Sequence, residues 1–281
     1  ILDLTMVDIE AIKAKKFKIV LDAVNSTGGI AIPMLLDKLG CETIKLYCEP
    51  NGQFPHNPEP LKEHLGDICE LVKKEHADLG IVVDPDVDRL ALIDEKGEMF
   101  GEEYTLVAVA DYLLKHKKGA AISNLSSSRA LRDVARSHDS EYFASAVGEV
   151  NVVNLMKEKN AVIGGEGNGG IIYPDLHYGR DSLVGAALFL THLAKENKSV
   201  SELRAGYPSY FMGKKKIELT PEINVDDILA KMEKEYQNEE VSTVDGVKID
   251  FENNWVHLRK SNTEPIIRIY TEAYTQEEAD K

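Results

Sequence analysis

Residues 79–89 read Leu79-Gly80-Ile81-Val82-Val83-Asp84-Pro85-Asp86-Val87-Asp88-Arg89. The run LGIVV is apolar without alternation, as expected of a strand covered on both faces in a parallel sheet. It stops abruptly in three carboxylates at every second position, followed by an arginine. Like charges on one face of a short turn repel, and a hard divalent cation bound by carboxylate oxygens resolves the repulsion. Asp84, Asp86 and Asp88 are therefore read as a metal loop in an extended turn stiffened by Pro85.

The flanking sequence supports the parallel sheet. KFKIVLD reads as a strand, AVNSTGG as a loop, and the next helix carries Ile30, Ile32, Met34, Leu35 and Leu39 before Gly40 closes it. The strand ETIKLY follows, then the turn-rich CEPNGQFPHNPEP and a helix with Leu61, Leu65, Ile68, Leu71 and Val72 on its apolar face. Strand, helix, strand, helix, strand implies a parallel sheet, and ligands of such sheets gather at the carboxyl ends of the strands. After LALIDEKGEMFG the pattern recurs: the helix YTLVAVADYLLK, the strand AAISNL, a helix over 128–138, a short strand near EYFASA, another helix and the strand AVIGG. From about Tyr207 the character changes. KKKIELT, VKIDF, WVHLR and IIRIY alternate as strands around a helix bearing Val225, Ile228, Leu229, Met232 and Tyr236, with a turn at Asn253-Asn254. The expected fold is two α/β domains with mixed, mainly parallel sheets (1–98 and 99–206), followed by a small α+β domain (207–281).

Bulk properties agree. A chain of 281 residues exceeds one hydrophobic core and fits two or three domains of about 75–110 residues. With 33 basic against 48 acidic residues and a net charge of −15, neither nucleic acid nor an anionic membrane is an expected partner. Three cysteines without CxxC spacing fit a reducing, cytoplasmic setting. No apolar run approaches the roughly 20 residues of a membrane span. The chain opens ILDLTMVD rather than on methionine, and is read as a fragment.

Two more loops carry polar groups. Gly164-Gly165-Glu166-Gly167-Asn168-Gly169-Gly170 follows an apolar strand; its glycines admit close backbone approach, and Glu166 and Asn168 suit a sugar diol. Arg259-Lys260-Ser261-Asn262-Thr263-Glu264-Pro265 packs guanidinium, hydroxyl and amide donors of the kind a phosphate monoester requires. An EF-hand reading of the aspartate loop fails, because Arg89 stands where glycine is needed and a strand precedes it. An aspartate-nucleophile sugar phosphatase, with Asp84 attacking phosphorus, remains an alternative. So does a non-catalytic module that binds sugar phosphates.

Taken in order, these loops resemble those of the α-D-phosphohexomutases, the family of phosphoglucomutase, phosphomannomutase and phosphoglucosamine mutase. DPDVDR is similar to that family's metal loop, GGEGNGG to its sugar loop and RKSNTEPIIRIYTE to its phosphate loop; DAVNSTGG and YCEPNGQFPHNPEP match as well. The resemblance covers the whole chain. It implies a magnesium-dependent interconversion of hexose 1- and 6-phosphates (glucosamine, glucose or mannose) through a phosphoserine enzyme and a 1,6-bisphosphate. Asp84, Asp86 and Asp88 would then hold Mg2+ and Arg89 would act beside it. Glu166 and Asn168 would grip sugar hydroxyls, and Arg259, Ser261, Asn262 and Thr263 the non-reacting phosphate. The family's Ser-His-Asn-Pro motif lies in a further amino-terminal domain. Here the His-Asn-Pro is His56-Asn57-Pro58, preceded by Pro55, so the nucleophile is expected on a missing domain of the same enzyme, and this chain alone is expected to be inactive. Some relatives place lysine at Ser126 and histidine at Glu149, which leaves the general acid and base open, with Glu149 a candidate. Ser123–Leu125 together with AVGEV looks like the phosphoglucosamine mutase branch.

Overall fold

The computed structural model describes residues 1–220, 224–261 and 264–281. Asn262 and Thr263 of the expected phosphate loop lie outside the described residues. The first unit runs α1 (Ile9–Lys15), β1 (Lys18–Asp22), α2 (Gly28–Lys38), β2 (Glu42–Leu46), a 3-10 turn at Lys62–His64, α3 (Gly66–Glu75), β3 (Leu79–Val83) and β4 (Leu90–Ile93). Its sheet has the order β2-β1-β3-β4; β1 is parallel to both neighbours and β4 antiparallel to β3. The second unit runs α4 (Glu102–His116), β5 (Ala121–Asn124), α5 (Ala130–Ser137), β6 (Tyr142–Ser145), α6 (Glu149–Lys159), β7 (Ile163–Glu166), β8 (Gly170–Ile172), α7 (Ser182–Glu196) and α8 (Val200–Ala205). Its sheet order, β6-β5-β7-β8 with β8 antiparallel, repeats the first topology. The third unit adds β9 (Phe211–Glu218), α9 (Val225–Glu235), β10 (Glu240–Ser242), β11 (Val247–Asp250), β12 (Trp255–Lys260), β13 (Ile266–Ala273) and α10 (Gln276–Asp280). Its strands form an antiparallel sheet in the order β10-β11-β12-β13-β9. The expected fold class holds.

Strand periodicity explains the layering. Ile19, Leu21, Ile81 and Val83 point to one face of the first sheet, while Val20 and Val82 point to the other and pack on Ile68 and Val72 of α3. The first face shares one continuous core with α2, α4, α7 and the near face of the second sheet, through Ile32, Leu36, Leu113, Phe189, Ile163 and Ile171. The far face of the second sheet, including Ile122 and Ile172, is covered by Val152 and Met156 of α6. The two α/β units are therefore fused by a common helical layer instead of each owning a central core. This explains why α4 and α7 are apolar nearly all round.

Of the apolar residues along α2, Ile32, Leu35 and Leu36, with Leu39 at its C-cap, are buried while Ile30 and Met34 are exposed, because the contact face follows the 3.6-residue repeat. The strand leading to the glycine-rich loop runs on through Gly164, Gly165 and Glu166, where the absent side chains make room for Met156 and Leu106.

Polar contacts join the segment from Tyr210 onward to the second unit. Arg129 N donates to Glu272 Oε1 (3.0 Å), Val147 N to Asp245 Oδ2 (3.0 Å) and Tyr210 Oη to Asp133 Oδ2 (2.5 Å). Among the described residues no helix is long and apolar enough to cross a membrane.

Candidate active site

The duplicated topology puts two of the loops at equivalent places. The aspartate loop joins β3 to the antiparallel β4, and the glycine-rich loop joins β7 to the antiparallel β8. Leu90 N donates to Gly169 O (3.2 Å), which ties the two loops together. Gly169 has φ +81, and a Cβ there would lie 2.1 Å from Leu90 O; this backbone approach requires glycine.

The aspartate loop is a tight turn, not an extended one. Val87 N donates to Asp84 O (3.1 Å), and Val87 takes a left-handed φ of 62°. Asp84 Oδ1 accepts from the N–H groups of Asp88 (2.9 Å) and Arg89 (3.0 Å). The turn still gathers the three carboxylates: one oxygen from each of Asp84, Asp86 and Asp88 lies within 4.8 Å of the others. Burial, then repulsion from Asp88 and Asp86, pushes the Asp84 carboxyl up to about 6 against the pull of the two N–H groups. Three converging carboxylates, one of them buried and strained toward its neutral form, are a donor set that fits a hard divalent cation.

Arg89 reaches across to Glu59 (2.7 Å) and stands 3.7 Å from Asp84 and 4.0 Å from Asp88. A residue not anticipated from sequence, Arg180, joins the loops more firmly. Its Nη2 pairs with Asp88 Oδ2, its Nη1 with Glu166 Oε2 (3.0 Å) and its Nε faces Glu149 Oε2 (3.3 Å). Glu149 Oε1 also accepts from the Arg180 N–H (3.1 Å), so Glu149 is occupied in holding this arginine. The other oxygen of Glu166 accepts from Asn124 Nδ2 (3.0 Å) and Gly148 N (3.2 Å). Nothing in the spacing of HYGRD signals this role, because Arg180 meets its partners only in the tertiary fold.

A cavity of about 560 Å³ joins the units, with Glu59, Arg89, Asn168, Lys214, Arg268 and Tyr270 on its wall. A smaller recess of about 150 Å³ shares Asn168, Lys214 and Tyr270 with it and is also lined by Glu166, Ser126 and Arg259. A third cavity, about 350 Å³, opens over Asp84, Pro85 and Arg89. The fold thus brings residues of all three loops to one cleft. Asn168 Oδ1 accepts from Gly170 N (3.2 Å), leaving its amide N–H groups as donors. Among the described residues Arg259 has only a 4.0 Å approach to Asp245, and its Nε is buried without a hydrogen bond. Ser261 N donates to Ile266 O (3.0 Å), closing the hairpin. Arg268 pairs with Glu264 (2.6 Å).

The recess also holds Glu103, which was not foreseen, and Ser126, whose hydrogen bond to His257 was not. Glu103 accepts from Ser128 N (2.9 Å), and burial pushes its carboxyl up to about 7. Ser126 lies 2.9 Å from His257 Nδ1, whose Nε2 is 2.6 Å from the Asp245 carbonyl oxygen. A carbonyl only accepts, so Nε2 carries the proton; Nδ1 then accepts, and the Ser126 hydroxyl donates to it. Burial lowers the His257 pKa to about 4 and keeps the ring neutral. Ser126 Oγ therefore turns lone pairs toward the recess. Lys214 also faces it; burial works to lower its pKa, but Glu102 (3.0 Å) and Glu103 prevail and hold it above its usual range.

Comparison with known proteins agrees with this geometry. Three consecutive models of one family match: phosphoglucomutase/phosphomannomutase alpha/beta/alpha domain II over residues 2–97, domain III over 101–210, and the C-terminal domain over 216–281. The chain belongs to the phosphoglucomutase/phosphomannomutase family. It is 38% identical over 277 residues to a phosphoglucomutase/phosphomannomutase of Thermococcus kodakarensis, covering 97% of this chain and 60% of that protein. It is 35% identical to a phosphoglucosamine/phosphogalactosamine mutase of Sulfurisphaera tokodaii, covering 96% and 61%. The crystal structure of a phosphoglucomutase/phosphomannomutase family protein from Burkholderia thailandensis superposes with a TM-score of 0.83 at 27% identity, covering 96% of this chain and 60% of that one. The chain thus spans about 60% of the length of these family members.

Proposed function

We propose that this chain forms the metal-, sugar- and phosphate-binding parts of a phosphohexomutase interconverting hexose 1- and 6-phosphates. The observation that carries this reading is the meeting of all three loops on one cleft, Asp84 and Arg89 at one end and Glu166, Asn168 and Arg259 at the other. Mg2+ held by Asp84, Asp86 and Asp88 would neutralise charge on a phosphoryl group in transfer. Arg89 adds a fixed positive charge beside that loop. Arg259 and Ser261, with Asn262 and Thr263, anchor the phosphate that does not react. Glu166 and Asn168 hold the ring, and Arg180 fixes Glu166 relative to Asp88, so the ring is registered against the reacting end. Glu103, near neutrality and facing the recess, suits proton transfer better than Glu149, whose carboxylate serves Arg180.

Ser126 presents an acceptor to the sugar, which favours a hydroxyl or ammonium donor there and is compatible with glucosamine, glucose or mannose phosphates. The phosphoryl-bearing serine is assigned to a domain outside these 281 residues, and the setting to the cytoplasm. Phosphatase chemistry at Asp84 fits less well, since its Oδ1 is committed to two N–H groups.

Titration calorimetry with Mg2+ and hexose 6-phosphates tests the reading. Asp86→Ala is expected to abolish Mg2+ binding, and Arg259→Ala to weaken phosphosugar binding by about 2 kcal/mol, a charge-assisted contact. Unchanged affinity in Arg259→Ala, or mutase turnover by the chain alone, overturns the assignment.

A further inference from the structure

A second basic cavity, of about 520 Å³, lies between the edge strands β6 and β10 and shares no wall residue with the cleft. Arg129, Arg132 and Arg136, at spacings of three and four residues, present one helical face to it, and Lys248 enters from β11. Arg129 is engaged by hydrogen bonds, since its Nη2 donates to Asp250 (3.0 Å) and to the Asn254 carbonyl (2.9 Å), although its Nε, 3.7 Å from Glu272, has none among the described residues. The other three are not. Arg132 comes only within 3.6 Å of Asp133 and 3.8 Å of Asp250, and its Nε is buried without an acceptor. Lys248 is 7% exposed; its Nζ stands 4.2 Å over the Trp255 ring and 3.7 Å from Asp250, with no hydrogen bond among the described residues. Arg136 is exposed and has no ion pair among the described residues.

Among the described residues Asp250 is thus the single carboxylate shared by Arg129, Arg132 and Lys248. The other acids on the wall, Glu141 and Glu240, are exposed. The Arg132 Nε, buried without a hydrogen bond among the described residues, and the Lys248 ammonium, held by Asp250 only at 3.7 Å, would both gain an acceptor from an entering oxyanion with several oxygens.

We propose that this cavity is a binding site for a phosphate group, separate from the cleft, with Arg132, Arg136 and Lys248 as its ligands. Three cations from two directions match a tetrahedral oxyanion better than a planar carboxylate. Space remains beside Leu125, Phe143 and Val241 for the organic body of a phosphate ester. Since its walls belong to the second and third units, an occupant bridges the joint that positions Arg259.

The test is an amide NMR titration of the 281-residue chain with inorganic phosphate at low salt, in the Arg259→Ala background to suppress the cleft. Shifts are expected at 140–144 and 240–242. Arg132→Ala and Arg136→Ala should each weaken that binding about tenfold, and added NaCl should weaken it further. Arg136 is exposed and has no ion pair among the described residues, so its replacement leaves the fold intact. Tighter binding of glycerol 3-phosphate than of phosphate supports an ester as occupant, and equal binding supports free phosphate. Absence of shifts at those residues up to roughly 20 mM phosphate, a concentration far above typical metabolite-site constants, overturns the proposal, as does unchanged affinity in Arg136→Ala.

Discussion

Asp84→Asn should stabilise the cation-free chain at neutral pH while destroying its response to Mg2+. In the fold the Asp84 carboxyl is pushed from its usual 3.8 up to about 6, by burial first and then by Asp88 and Asp86. A carboxyl with a raised folded-state pKa favours the neutral form, so the folded chain loses stability as pH rises from about 3.8 through about 6; above that the loss is constant. A shift of about two units at about 1.4 kcal/mol each amounts to about 3 kcal/mol at pH 7. Asparagine keeps an oxygen to accept from Asp88 N and Arg89 N but forfeits the attraction of Arg89, 3.7 Å from Oδ2. The net expectation is about 2 kcal/mol of stabilisation at pH 7, vanishing near pH 4. Urea unfolding followed by circular dichroism, in EDTA at pH 4 and 7, measures it. Mg2+ should raise the melting temperature of the parent and leave that of the variant unchanged. An Asp84→Asn chain less stable than the parent at pH 7 without cation, or a difference equal at both pH values, refutes the account of an electrostatically strained acidic turn.

Arg180→Ala leaves Asp88, Glu166 and Glu149 without their shared cation and should cost about 3 kcal/mol of stability by chemical denaturation; a loss below about 0.5 kcal/mol contradicts its linking role. Gly169→Ala, at φ +81 with Leu90 O 2.1 Å from the new Cβ, should cost roughly 2 kcal/mol and weaken hexose phosphate binding, and a neutral result in calorimetry counts against the coupling of the two loops. His257, lowered from 6.5 to about 4, contributes stability present above pH 6.5 and lost as pH falls through about 4. Its ring NMR signals should therefore stay neutral at pH 6; titration near 6.5 would reverse the hydrogen-bond direction assigned to Ser126. Glu103→Gln should bind hexose phosphate normally yet slow turnover at least tenfold when the chain is assayed within a complete enzyme, as for loss of a proton-transferring group.

The α/β class was legible because its evidence is local. LGIVV can be read as a strand sealed on both faces from five residues, and the breaks at Gly40 and in CEPNGQFPHNPEP mark where elements end. Asp84, Asp86 and Asp88 were legible for the same reason, since residues two apart remain neighbours in almost any turn. The turn's true shape was not, because the left-handed Val87 is imposed by N–H groups that Asp84 caps. That Ile30 and Met34 face outward was not legible, because apolarity alone does not tell which helical face meets the core.

Determined by the sequence alone were the alternation of strands and helices, the three polar loops and the charge of each, since all depend on residues within a few positions of one another. Only the tertiary structure decided that α4 and α7 fuse two sheets around one core, that Arg180 binds three carboxylates from separate segments, and that His257 sets the direction of the Ser126 hydrogen bond. Those contacts join residues dozens of positions apart. Their energies depend on burial and distance, which exist only once the sheets have packed.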